Sequence, residues 1–421
     1  MTEAPTPPQA GQEPKQEQPL GLAARLQIWH RAGGIAVPIL TTLFAFFMGG
    51  LVVLVLSHKN PLETYREIFN GSGLNWFGSF CSSSGTATSI PCTATTNLQQ
   101  TLIQFTVLAL TGLAVAFAFR CGMFNIGGQG QYIVGTVAAV WLGTSLSGLP
   151  APIHVLLCVA GATLAGALWA GIAGFLKATV GAHEVITTIM LNYIAVWVAT
   201  YLISGGPLQD PNGGAAPITK PIDPGAQLPV IWDQDLNGGI HLPQGLHVGV
   251  FIALGALVLY WAVINRTTLG YAVRAVGFNP EAARYGGINV SRNYFLAMAI
   301  SGAFAGLAGS MDILGWQFRL ETTSTSSTGY SQIAFIGIAV ALLGRNTAVG
   351  VFLAAMLFAA LKTGTSTRNL DPNVFRPDLA NNLTQLIQGL IVLFVGADVL
   401  ILYLWTKGKK LRLPTRQGSR I

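Results

Sequence analysis

Long uninterrupted apolar runs dominate this chain; neither strict alternation nor a narrow amphipathic stripe organises it. A helix needs about 20 apolar residues to cross a bilayer. Runs of suitable composition lie near 34–56, 98–119, 127–148, 151–176, 184–204, 246–264, 294–315, 330–344, 347–365 and 384–405. The pattern therefore predicts an all-α polytopic membrane protein of about ten transmembrane helices, with one membrane domain over residues 34–405. Residues 1–20 are rich in Pro, Gln and Glu, lack any apolar period, and read as a disordered cytoplasmic tail. They are not a secretory leader, because the first apolar run starts only after Arg31 and is too long for one. Residues 406–421 form a basic cytoplasmic tail.

Composition agrees: 51% of residues are hydrophobic and 9% are charged, where a soluble domain carries roughly a quarter charged. The net charge of +7 reflects loop placement and not a nucleic-acid partner. With the N-terminus inside and ten alternating spans, sixteen Lys and Arg fall in inner segments and six in outer ones, Lys362 lying within the ninth span. That asymmetry predicts both termini in the cytoplasm.

Two places break the apolar pattern. The first is Arg120-Cys121-Gly122-Met123-Phe124-Asn125-Ile126-Gly127-Gly128-Gln129-Gly130-Gln131. Irregular Gly-rich chain at membrane depth must be buried in protein or line a wet cavity. The second runs from Trp316 through the Ser/Thr-rich residues 322–328 to Tyr330. Between them, Glu184, Thr188 and Asn192 fall at i, i+4 and i+8 on one helix face. Asn192 either bonds a neighbouring helix or lines a pathway. Gly302 and Gly306 mark a close-packing face. In the inner loop 265–293, Asn279 to Tyr285 reads as a short helix with Asn279 as N-cap, Pro280 at its first position and Glu281 near the positive dipole end.

Two outer loops are long. Residues 205–245 carry seven prolines and serve as a cap, a docking surface or plain connection. Residues 57–97 contain Cys81 and Cys92, which share an outer loop and are expected to form a disulfide. Cys158 lies mid-span as a packing residue. The six histidines are scattered, so no metal site is expected, and no cofactor is implied.

Three of these segments resemble bacterial permease subunits of ABC importers for nucleosides and simple sugars, within the superfamily that also holds branched-chain amino-acid permeases. The first break is similar to that family's G-x-F-N-I-G-x-x-G-Q element. Residues 183–195, His-Glu-Val-Ile-Thr-Thr-Ile-Met-Leu-Asn-Tyr-Ile-Ala, follow a second family segment. Glu281, Ala282, Ala283, Arg284, Tyr285, Gly287 and Ile288 match the segment that docks on the ATPase. One departure is Gly127-Gly128-Gln129 where the family commonly has G-V-E-G.

The resemblance implies two inverted-type halves with interrupted helices in a multi-pass protein of the bacterial plasma (inner) membrane. It implies a cytoplasmic ATP-binding subunit, a second permease subunit (identical or different) and an extracytoplasmic substrate-binding protein as partners. Coupling would fall to Asn279, Glu281, Ala282, Ala283, Arg284 and Tyr285. A nucleoside pathway would take its polar partners from Asn125, Gln129, Gln131 and Asn192. Phe124, Trp316 and Tyr330 would give it an aromatic wall.

No phosphate-cradling G-x-x-x-x-G-K-[ST], G-x-S-x-G or H-E-x-x-H occurs, so the chain is read as a transport subunit and not an enzyme. The alternative is an ion-coupled secondary carrier, for which Asp312, Lys362 and Asp398 would be coupling candidates.

Overall fold

The computed structural model describes residues 39, 42–55, 60–77, 93–213, 217–232, 235–236, 240–241, 245–321, 330–366 and 377–396. Its elements are α1 (Thr42–Val55), α2 (Pro61–Gly71), α3 (Thr93–Arg120), α4 (Gly128–Ser145), α5 (Ala151–Val180) and α6 (Glu184–Ile203). Then follow α7 (Gly249–Arg266), α8 (Thr268–Phe278), α9 (Pro280–Tyr285), α10 (Val290–Asp312), α11 (Tyr330–Leu343), α12 (Ala348–Gly364) and α13 (Pro377–Gly396). Each of the ten apolar stretches contains a helix. Among the described residues, five helices are long and apolar enough to cross a membrane. The chain is thus an all-α, multi-pass membrane protein.

Burial sorts these helices into layers. The hydrophobic window of α3 is 83% buried, whereas those of α5 and α6 are each 28% buried. So α3 sits at the centre, and α5 and α6 turn apolar side chains such as Leu164, Leu168 and Trp197 outward. A helix that is apolar all round and still exposed faces lipid or another membrane subunit. The closest helix pairing is α5 with α10, and small residues permit it. A Cβ at Gly302 would lie 2.2 Å from the Gly166 carbonyl oxygen, and one at Gly306 would lie 2.3 Å from that of Ala162. The Gly302/Gly306 face is a packing face, as its spacing suggests.

Segments expected on the same side of the membrane meet at the same end of the bundle. At one end, Arg120 donates from Nε and a terminal guanidinium nitrogen to the Asn346 carbonyl at 2.9 and 2.7 Å. The Tyr260 hydroxyl reaches the same carbonyl at 2.7 Å. At the other end, the Asp223 amide donates to the Gly143 carbonyl at 2.9 Å, and the 217–229 segment lies across the chain that follows α10.

Three features were not expected. Asn60 caps α2 through a bond from the Leu62 amide at 3.0 Å, so the 57–97 loop is partly helical. Thr267 caps α8, its Oγ1 accepting from the Gly270 amide at 3.1 Å, so the inner loop holds two helices. Residues 230–247 carry short antiparallel pairs. Strand β1 (Val230–Trp232) pairs with β4 (Leu246–His247), and β2 (Asp235–Leu236) with β3 (Ile240–His241). Cys81 and Cys92, the two tails and Asp398 lie outside the described residues.

Candidate functional site

The first break, between α3 and α4, is held by side-chain amides. Asn125 is fully buried. Its Nδ2 donates to Gln131 Oε1 at 2.9 Å and to Ser301 Oγ at 2.7 Å. Its Oδ1 accepts from the Gly127 amide at 2.9 Å and from Gln131 Nε2 at 3.0 Å. Ser301 passes its own hydrogen to the Ala114 carbonyl at 2.5 Å. Asn192 brings in α6: its Oδ1 accepts from the Gly130 amide at 2.8 Å, and its Nδ2 donates to the Ile126 carbonyl at 3.0 Å. The irregular backbone at this depth therefore finds its partners inside the protein, as burial requires. Thr188 is fully buried on the same face of α6. Glu184 at the mouth of that face pairs with Lys177 at 2.9 Å.

The second break is satisfied differently. After Asp312 the helix widens into a π-turn, Ile313–Gln317, and Phe318 takes a left-handed conformation with φ 56°. Wide turns of this kind free backbone groups and often mark working sites. Here residues 219–228 supply the partners. The Leu228 amide donates to the Leu314 carbonyl at 2.8 Å, that of Ile222 to Phe318 at 2.9 Å, and that of Thr219 to Leu320 at 2.9 Å. The loop left open as cap, docking surface or connection is, over residues 218–228, the brace of this break. His247 completes it. Its ring is 1% exposed and lies so close to the π-turn that a Cβ at Gly315 would sit 2.4 Å from it.

Between this π-turn and α3 and α12 lies a cleft of about 260 Å³. Gln100 and Gln104 line it, one helical turn apart on α3, with Trp316, Lys362, Thr363 and Ser366 opposite. Behind it Asp312, 5% exposed, accepts from the Tyr132 hydroxyl and from Gln317 Nε2 at 2.5 Å. Asp312 and Lys362 attract each other.

Six of the seven expected pathway residues thus fall in two places. Asn125, Gln131 and Asn192 form one knot, with Phe124 half-buried against Phe119 at a ring separation of 5.0 Å and Gln129 half-buried in the first turn of α4. Trp316 lies in the cleft. Tyr330 opens α11. Along α3, Gln104 and Ala114 mark the two places, about 15 Å apart at 1.5 Å per residue. Sequence reasoning missed Gln100 and Gln104. Their signal was a cluster of glutamines, Gln99, Gln100 and Gln104, at the start of an otherwise apolar span.

The short inner helix α9 forms as its sequence suggests. Asn279 Oδ1 accepts from the Glu281 amide at 3.0 Å and the Ala282 amide at 3.1 Å. Ala283 is buried, while Glu281, Ala282, Arg284 and Tyr285 are exposed. Phe278 and Tyr285 are 91% and 94% exposed, so two aromatic rings flank α9 with nothing among the described residues over them. In its last turn α8 touches the first break directly: a Cβ at Gly277 would lie 2.4 Å from the Arg120 carbonyl oxygen.

Residues 97–396 match the family described as branched-chain amino acid transport system / permease component. The chain is 39% identical over 385 residues to the guanosine ABC transporter permease protein NupP of Bacillus subtilis, covering 90% of this chain and 98% of that protein. It is 31% identical over 382 residues to the nucleoside ABC transporter permease protein NupB of Lactococcus lactis, covering 90% and 95%. It is 34% identical over 360 residues to the glucose ABC transporter permease protein TsgB13 of Haloferax volcanii, covering 85% and 86%. No solved structure matches the chain.

Proposed function

Since the chain belongs to the branched-chain amino acid transport system / permease component family, we propose that it carries nucleosides through a bacterial plasma membrane. It is a permease subunit of an ABC importer, and such subunits perform no catalysis themselves. The cargo reading rests on two near full-length relatives named for nucleosides. A third, named for glucose, makes a simple sugar the nearest rival.

The observation that carries the transport reading is α9. A six-residue helix capped at both ends is a rigid body, and the exposed surface it forms with the end of α8 combines the Phe278 and Tyr285 rings with Glu281 and Arg284. That surface suits a cleft on a cytoplasmic ATP-binding subunit. Gly277 against Arg120 then passes its displacement to the first break. A second permease subunit and an extracytoplasmic binding protein complete the assembly. Ten spans with both termini inside fit the grouping of inner and outer segments at opposite ends.

The pathway enters at the Trp316 cleft and continues past Phe124 and Gln129, the half-buried residues of the first break. Asn125, Gln131 and Asn192 hold that break in shape beside it.

Uptake of labelled nucleoside in cells producing the whole transporter tests both parts. Glu281→Arg or Arg284→Glu is expected to abolish uptake while the protein still reaches the membrane. Normal transport by both variants would remove the coupling role. Unlabelled nucleosides are expected to compete where ribose and leucine do not. Competition by leucine alone would remove the nucleoside reading.

A further inference from the structure

We propose that the cleft between α3, the π-turn and α12 is a recognition site for the base of the transported nucleoside. We propose further that Lys362 makes it select bases bearing a ring carbonyl over bases bearing an amino group at the same position. The proposal rests on the nucleoside reading and adds to it a place and a chemistry.

Size is the first argument. About 260 Å³ lies just under the roughly 300–1,000 Å³ of sites for drug-sized ligands. It suits one base or one sugar ring. The second is the character of the walls. Trp316 gives an aromatic surface, against which a planar ring gains more than a hydroxyl-rich sugar does. Gln100 and Gln104 present two amides from one face of α3. Each carries both donor and acceptor, which complements the adjacent N–H and C=O of a lactam edge. A lactam edge fixes one donor beside one acceptor in the ring plane, whereas sugar hydroxyls rotate and set no such fixed pattern.

Lys362 supplies the selection. An ammonium has three donors and no acceptor. In an apolar bundle it needs a counter-charge, and the Asp312 carboxylate behind the cleft attracts it electrostatically without closing an ion pair. Asp312 is itself held by Tyr132 and Gln317, so that carboxylate is fixed in place. Lys362 also lines the cleft, so it has donors to offer a ligand. A ring carbonyl accepts them. An amino group in its place sets donor against donor and leaves a desolvated group unpaired. Guanosine, inosine and uridine satisfy this chemistry; adenosine and cytidine do not.

The test is competition against labelled inosine uptake in cells producing the complete transporter, using inosine and adenosine as the matched pair. Wild type is expected to favour inosine about tenfold or more. Lys362→Met is expected to lower inosine uptake about tenfold, and Lys362→Gln, whose amide donates and accepts, to bring adenosine and inosine close together. Lys362→Arg keeps the charge and is expected to keep the preference. Each variant is compared at equal membrane content by immunoblot. Where Lys362→Met does not reach the membrane, Lys362→Gln and the pair Gln100→Leu and Gln104→Leu carry the test. Nucleoside uptake with unaltered affinity and preference in Lys362→Gln, Gln104→Leu and Trp316→Ala would overturn the cleft assignment and leave the nucleoside reading standing. Wild-type uptake that no nucleoside competes for would instead overturn the cargo.

Discussion

Asn125 uses every hydrogen-bonding position of its amide: both hydrogens are donated and the oxygen accepts twice. Asn125→Ala strips partners from the buried Gln131 amide and from the Gly127 N–H. Each orphaned group costs on the order of 1–3 kcal/mol. Asn125→Asp also fails, because a carboxylate cannot donate to Ser301. Both variants are expected to lower the melting temperature of the purified protein, with Gln131→Ala acting less than additively because it breaks the same knot. Unchanged melting in Asn125→Ala would show the knot to be dispensable. His247 gives a pH signature. Burial against the π-turn pushes its pKa down from 6.5 to about 4, and its Nδ1 accepts from the Gly249 amide at 3.1 Å. Above pH 6.5 the ring is neutral in both folded and unfolded chains. Below that value the unfolded chain takes up a proton that the folded one refuses, so stability falls by about 1.4 kcal/mol per pH unit down to roughly pH 4. The melting temperature is expected to drop over that window, and His247→Gln to flatten the slope; an unchanged slope would remove His247 as its source. At this scale the sequence told what was polar but not what each polar group does. The amides at 125, 131 and 192 stood out because they interrupt apolar runs. Lys362 was visible as a charge within a span, but its counter-charge lies fifty residues away and only folding joins them.

Helices were legible where their physics is local. The apolar runs marked ten of them, and Asn279 with Pro280 marked α9, because capping and span length need no distant partner. The signals for α2 and α8 were equally local: Asn60 before Pro61, and Thr267 before Thr268. Both helices were overlooked because, at eleven residues each, they are too short to stand out as the spans beside them do. The π-turn and the strand pairs over 230–247 were not legible, since long-range packing and pairing decide them. Element packing also explains how α8 is seated. Its last turn rests backbone to backbone on the first break at Gly277 and Arg120, with no room for a side chain. Gly277→Leu is expected to lift α8 from the break and uncouple it: ATPase binding stays, measured by co-purification, while uptake falls at least tenfold. Loss of ATPase co-purification in the same variant would mean that α8 only supports α9. Gly306→Leu acts elsewhere, forcing α10 from α5 and α4, and is expected to destabilise the whole bundle by about 1–3 kcal/mol or more.

The whole molecule has two ends with different chemistry. One gathers Arg120, Lys177, the α8–α9 pair and the 345–346 turn; the other gathers α2, the 205–245 loop and the second break. The charge count assigns the first to the cytoplasm, and the contacts within each end make the assignment testable as a unit. With ten spans, every segment of one end must face the same compartment. A span missed between α9 and residue 345 would place α9 and the 345–346 turn on opposite sides, although Arg120 ties the break under α8 to Asn346. Single cysteines provide the check. Cys121 and Cys158 are buried, so only Cys81 and Cys92 need replacement by serine to give a quiet background. Tyr285→Cys, at a position 94% exposed, is expected to resist a membrane-impermeant maleimide in intact spheroplasts and to label once the membrane is opened. Lys220→Cys, exposed on the opposite end, is expected to label in intact spheroplasts. Labelling of Tyr285→Cys from outside, or of both positions from one side, would overturn the ten-span topology and with it the assignment of α9 to an ATPase.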